Sequence, residues 1–149
     1  MAKKAKKEEA PPPDAAATSV SPLQQSVAAA IDGMIYISES EAPLELEAWP
    51  DATDAASLQA KIANQYNIPL EAQTLVPPDE FLSAIQQMVD PSDPVMVDYA
   101  SRYGKLFMLL KADGGNMVVI RAAGEQLHIF IGAFSETDYA IIHTTAVET

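Results

Sequence analysis

Ser38-Glu39-Ser40-Glu41 places two carboxylates within three residues, at the end of the apolar run Met34 to Ile37 and just before a second extended segment, Pro43 to Trp49. Carboxylates on a short turn at a strand end project away from the fold and can meet a cation, either a basic side chain or a metal held by another molecule. Acid and base catalysis asks more of the same pair, because Glu39 and Glu41 would have to be held in a cleft with separated pKa values. Other chemistry-bearing residues are sparse. His128 and His143, the two histidines, fall on predicted strands outside any metal-ligand spacing, with no cysteine to assist them. They read as packed or surface strand residues. Gly114-Gly115 lacks the further glycines and the lysine of a phosphate loop and reads as a turn. No catalytic constellation emerges, so the expectation is a binding protein and not an enzyme.

The elements that position the turn follow from periodicity. Leu23, Val27 and Ile31 recur every four residues after Pro22, which suits a first helical turn, and Asp32-Gly33 stops that helix. Met34 to Ile37 is then a buried strand. Leu44-Glu45-Leu46-Glu47-Ala48-Trp49 alternates, directing Leu44, Leu46 and Ala48 inward and Glu45, Glu47 and Trp49 to the other face. The two segments are expected to form a hairpin joined by Ser-Glu-Ser-Glu-Ala. Thr53 or Asp54 caps a helix carrying Leu58, Ile62 and Tyr66, Ile68 to Val76 is extended, and Pro77-Pro78-Asp79 opens a helix carrying Phe81, Leu82, Ile85 and Met88. Asp93-Pro94 starts the longest helix, with Val97, Ala100, Phe107 and Leu110 near one face. Three strands follow, Asn116 to Arg121, Gln126 to Phe134 and Tyr139 to about Thr145, as an antiparallel meander. This order predicts an α+β domain, with one five-stranded sheet made from the first hairpin and the last three strands.

Composition bounds the role of such a domain. In 149 residues with 48% apolar content there is no apolar run near the length of a membrane span, so one soluble globular domain is expected. Formal charge is −12, with Lys3, Lys4, Lys6 and Lys7 confined to the start. From Val20 onward there are five basic and eighteen acidic residues, a surface that repels nucleic-acid phosphates and draws in a basic cleft. Residues 1–21, rich in Lys, Pro and Ala, offer almost nothing to bury and read as a flexible tail preceding a domain over 22–149. The charged start lacks the apolar stretch of a signal peptide, and without cysteine the expected compartment is the cytoplasm.

The segment from Asp32 through Ser38-Glu39-Ser40-Glu41 to Pro43, the tryptophan Trp49 and the terminal Val147-Glu148-Thr149 resemble the nuclease A inhibitor family. The likeness extends through Asp79-Glu80-Phe81-Leu82, Lys105-Leu106, Gly124-Glu125 and Leu127 to Gly132, roughly from Pro22 to Thr149. It implies a small α/β/α sandwich that plugs the active site of a sugar-nonspecific, metal-dependent DNA/RNA endonuclease of the ββα-metal type. It also implies that the Thr149 carboxylate ligates the nuclease's magnesium and that Glu39 reaches the catalytic centre. Ser38, Ser40, Glu41 and Glu148 complete the implied partner-binding set. The resemblance implies no cofactor of the chain's own, magnesium being bridged only in the complex, and a monomer that binds one-to-one in a basic active-site cleft. The chain departs from the family pattern at Val89-Asp90-Pro91-Ser92-Asp93-Pro94, where an acidic, tryptophan-containing stretch is replaced. Two rival readings make different demands. A secretion-chaperone-like binding module requires an obligate dimer with an apolar groove, and an enzyme using Glu39 and Glu41 requires turnover that is lost on mutating either.

Overall fold

The structure, a computed structural model, describes residues 21–148. The expected tail over residues 1–20 and the terminal Thr149 lie outside the described residues. Helix α1 (Pro22–Ile31) is capped by Ser21, whose hydroxyl accepts from the Gln24 N–H at 3.1 Å in a capping box. Strands β1 (Ile35–Ile37), β2 (Glu41–Pro43) and β3 (Glu45–Glu47) follow, then α2 (Ala55–Tyr66), a short 3₁₀ turn (Leu70–Ala72) and β4 (Gln73–Val76). Helices α3 (Pro78–Gln87) and α4 (Pro94–Leu109) precede a π-helical turn (Leu110–Gly114) and β5 (Asn116–Ala123), β6 (Leu127–Phe134) and β7 (Tyr139–Ala146).

The main sheet is five-stranded and antiparallel, in the order β3-β7-β6-β5-β4. The strand count agrees with the sequence reading, but the membership differs. β1 pairs only with β2, as a separate hairpin with Ile35 opposite Pro43 and Ile37 opposite Glu41. Pro43 has no N–H to continue that ladder, so the chain leaves the hairpin there and the alternating segment, as β3, pairs with β7. The second edge is β4, from the segment read only as extended, and the proline pair that follows ends it.

Alternation along β5, β6 and β7 builds two cores. On one face, Val119, Ile129, Ile131, Ala133, Ala140 and Ile142 meet α1, α3 and α4. On the other, Ile120, Ala122, Phe130, Phe134 and Ile141 meet α2 and Trp49. Helices therefore cover both faces, which makes an α/β/α sandwich. Leu58 and Ile62 of α2 are fully buried, each burial contributing about 1.5–3 kcal/mol. On α4 the buried stripe is Tyr99, Tyr103, Leu106 and Phe107, continued by Leu110. Val97, expected on that face, is exposed, because the helix turns its two tyrosines toward the hairpin. Met88 is also exposed at the end of α3, and so is Ala48 beyond β3. Trp49 does face away from Leu44, but α2 covers that side and buries it.

Candidate functional site

The acidic turn is the connection of the β1–β2 hairpin, closed by the Ser38 hydroxyl and by the backbone groups of Ser38 and Ser40. The Ser38 N–H donates to the Ser40 carbonyl at 2.8 Å, while the Ser38 hydroxyl accepts from the Ser40 N–H at 3.3 Å. Short hydroxyl side chains bonding nearby backbone stabilise such turns, and here they leave Glu39 exposed at the tip. Glu41 opens β2 opposite Ile37 and is exposed as well.

The hairpin does not depend on its own two short strands for rigidity. Tyr103 donates its hydroxyl to the Ile35 carbonyl at 2.9 Å, and the Tyr99 hydroxyl accepts from the Ile37 N–H at 3.0 Å. The rings lie 5.1 Å apart on successive turns of α4. Burial pushes the Tyr103 hydroxyl far above the ordinary tyrosine range, so it stays protonated and able to donate. Tyr36 stacks on Phe81 of α3 at 5.9 Å, and Ala42 and Met34 are buried beneath the turn. The four-residue spacing of Tyr99 and Tyr103 is the signal in the sequence that both point one way.

The turn also meets the end of β7. The Glu39 N–H donates to the Val147 carbonyl at 3.1 Å, and the Val147 N–H donates to the Ser38 hydroxyl at 3.0 Å. The two segments are thus tied reciprocally, once backbone to backbone and once through the Ser38 hydroxyl across 109 residues. Of the expected site residues, Ser38, Glu39 and Ser40 form the turn, Glu41 flanks it, and Glu148 follows directly on the tied Val147. Glu148 bonds Arg121 of β5 at 2.5 Å. Thr149, expected to make the metal contact, lies outside the described residues.

The departing loop uses its acids locally. Asp90 accepts from the Ser92 N–H at 2.9 Å and hydroxyl at 2.7 Å, which holds its carboxyl below the usual range, and Asp93 caps α4. Among the described residues no group of three or more His, Cys, Asp or Glu side chains is arranged to hold a metal. No helix among them is long and apolar enough to cross a membrane.

The two histidines, set aside in the sequence, come together on the α2 face. His128 Nδ1 lies 2.8 Å from His143 Nε2, and His143 Nδ1 lies 2.9 Å from Glu47. Tyr66 donates to the same carboxylate at 3.4 Å. Register across β3, β7 and β6 makes this chain, a relation invisible in sequence spacing. Burial, reinforced by neighbouring His143, pulls the His128 pKa below that of a free imidazole. As pH falls the unfolded chain takes up this proton before the folded one does, so stability is retained above about pH 6.5 and declines below it. Thermal melts between about pH 7.5 and 5.5 are expected to show this decline, and His128→Gln is expected to flatten it. An unchanged slope in the variant would place the titration elsewhere.

Several basic side chains are engaged locally. Arg102 donates to the Ala30 and Asp32 carbonyls at the end of α1, while Lys61 and Lys111 pair with Asp51 and Asp79. No curated protein matches the chain. A family model described as Nuclease A inhibitor-like protein matches residues 21–149, the span that contains the hairpin, the sandwich and the chain end, and the chain belongs to that family.

Proposed function

We propose that this protein inhibits a sugar-nonspecific, metal-dependent nuclease by presenting Glu39 and the Thr149 carboxylate to its active site. Family membership supports a nuclease as the partner and a non-enzymatic inhibitor as the role. The observation that carries the mechanism is the reciprocal bonding of Ser38 and Glu39 to Val147, which brings the acidic turn to the segment that leads into the chain end. The donor set is oxygen only, which fits a hard divalent cation held by the nuclease. Such a cation, when present in the partner, supplies charge that attracts the phosphate anions of substrate.

The chain's own residues do the rest. Ser38 and Ser40 shape the turn, the tyrosines of α4 fix the hairpin, and Glu39 is offered on a backbone already ordered before contact. Little conformational entropy remains to be lost on docking. The acidic surface steers the protein toward a basic cleft and repels free nucleic acid, and a monomer bound one-to-one is the complex expected for this family likeness.

The direct test titrates a ββα-metal nuclease with the full-length protein and follows cleavage of both DNA and RNA. Stoichiometric loss of both activities is the expected result, and undiminished cleavage would exclude that nuclease as a target. Association should also slow by at least about tenfold between about 10 and 300 mM salt, measured by stopped flow. A salt-independent on-rate would remove steering from the mechanism.

A further inference from the structure

Arg121 is the place where the hairpin, the sheet and the chain end are joined by one side chain. It lies on β5, on the α1/α3/α4 face, paired in register with Thr74 of β4 and Ile129 of β6. Its guanidinium bonds Glu148 at 2.5 Å and lies near enough to the Tyr36 hydroxyl on β1 for the two to interact electrostatically. Tyr36 is itself held by stacking on Phe81. The Arg121 side chain is only 28% exposed, whereas that of Glu148 is 49% exposed. The arginine is therefore the fixed member of the pair and the glutamate the member that is captured.

The sequence grouped Glu148 with the residues that meet a partner. The geometry points to another role: Arg121 is a positioning residue that clamps Glu148 to the sheet and so restricts the reach of the carboxylate one peptide bond further on. This rests on the inhibitor reading above. Two constraints then act on consecutive residues, the backbone ties at Val147 and the ion pair at Glu148. Adjacent Cα atoms are about 3.8 Å apart, so a constraint on Glu148 limits the reach of a carboxylate carried by the residue after it. Chain ends ordinarily fray, and an anchored end loses less freedom on binding. A planar, always charged guanidinium suits this task better than lysine, since its fixed donors match the geometry of a carboxylate.

The kinetic signature differs from that of a residue that touches the nuclease. Arg121→Gln removes a cation from an acidic protein, so the on-rate for a basic cleft should hold or rise. Freeing the chain end should raise the off-rate by about three- to tenfold. Glu148→Gln should raise the off-rate by the same factor, and the double variant should be no worse than either single, because both break one clamp. Melting temperatures should stay close to the parent value, since a partly exposed ion pair adds little to stability.

Off-rates measured by competition on the four proteins, with a Thr149-deleted protein alongside, decide the matter. Additive effects, or an off-rate raised by Glu148→Gln and not by Arg121→Gln, would mean that Glu148 touches the partner and would overturn the clamp. Parent-like off-rates in both single variants, with inhibition lost on deleting Thr149, would overturn the clamp and leave the plug standing. Full inhibition by the Thr149-deleted protein would overturn both.

Discussion

Deleting Thr149 is expected to raise the inhibition constant against a susceptible ββα-metal nuclease by about 30- to 3,000-fold, with the melting temperature unchanged. The magnitude follows from removing one partner of a desolvated charge pair, which costs about 2–5 kcal/mol, at about 1.4 kcal/mol per tenfold. The deletion moves the α-carboxylate back by a residue, onto Glu148, whose backbone follows directly on the ties at Val147. A C-terminal tag should do equal harm, because it converts the carboxylate into a peptide bond. Glu39→Gln is the companion variant. It keeps the Glu39 N–H bond to Val147 and the serine bonds of the turn, so it removes charge without removing shape. Its effect should fall in the same range, and the two changes together should be less than additive if both groups enter one site. Unchanged inhibition by deleted, tagged and Glu39→Gln proteins would dispose of the plug.

The largest effect on stability is expected at Phe130→Ala, on the opposite face of the sheet. Phe130 is fully buried and lies at the centre of a ring cluster, 4.5 Å from His143 in a parallel stack, 5.7 Å from Trp49 and 5.8 Å from Tyr66. Truncating a buried phenylalanine costs about 3–5 kcal/mol, out of a total of about 5–15 kcal/mol for a domain. The melting temperature should fall by about 10–20 °C. Trp49 is the sole tryptophan and is buried against the same ring, so its fluorescence reports the transition directly. Because the hairpin packs on the other core, the fraction that remains folded should inhibit normally below the melting range. Lost inhibition in that folded fraction would show that the two faces are coupled. A fall of only a few degrees would show that the cavity collapses.

Much of the fold was legible because local rules agree with the tertiary outcome. The four-residue periods of α1 and α2, the prolines at the first turns of α3 and α4 and the meander of β5 to β7 all lie where sequence placed them. The failures share one cause. Pairing partners are chosen by non-local contacts, so the alternation of Leu44 to Trp49 announced a strand without naming β7 as its neighbour. The extended segment before Pro77 likewise gave no sign that β5 offered it an edge.

The site divides the same way. By itself the sequence determined that two carboxylates and two serines would form an exposed turn, that the chain carries a net negative charge, and that the chain end resembles the family's end. These depend on residue type and short spacing. Tertiary structure alone decided that the turn is tied to Val147, that Tyr99 and Tyr103 hold the hairpin, and that Arg121 captures Glu148. It also decided that His128, His143, Glu47 and Tyr66 make one hydrogen-bonded chain. Each of these contacts joins separate elements through sheet register and helix rotation, which one-dimensional spacing does not encode.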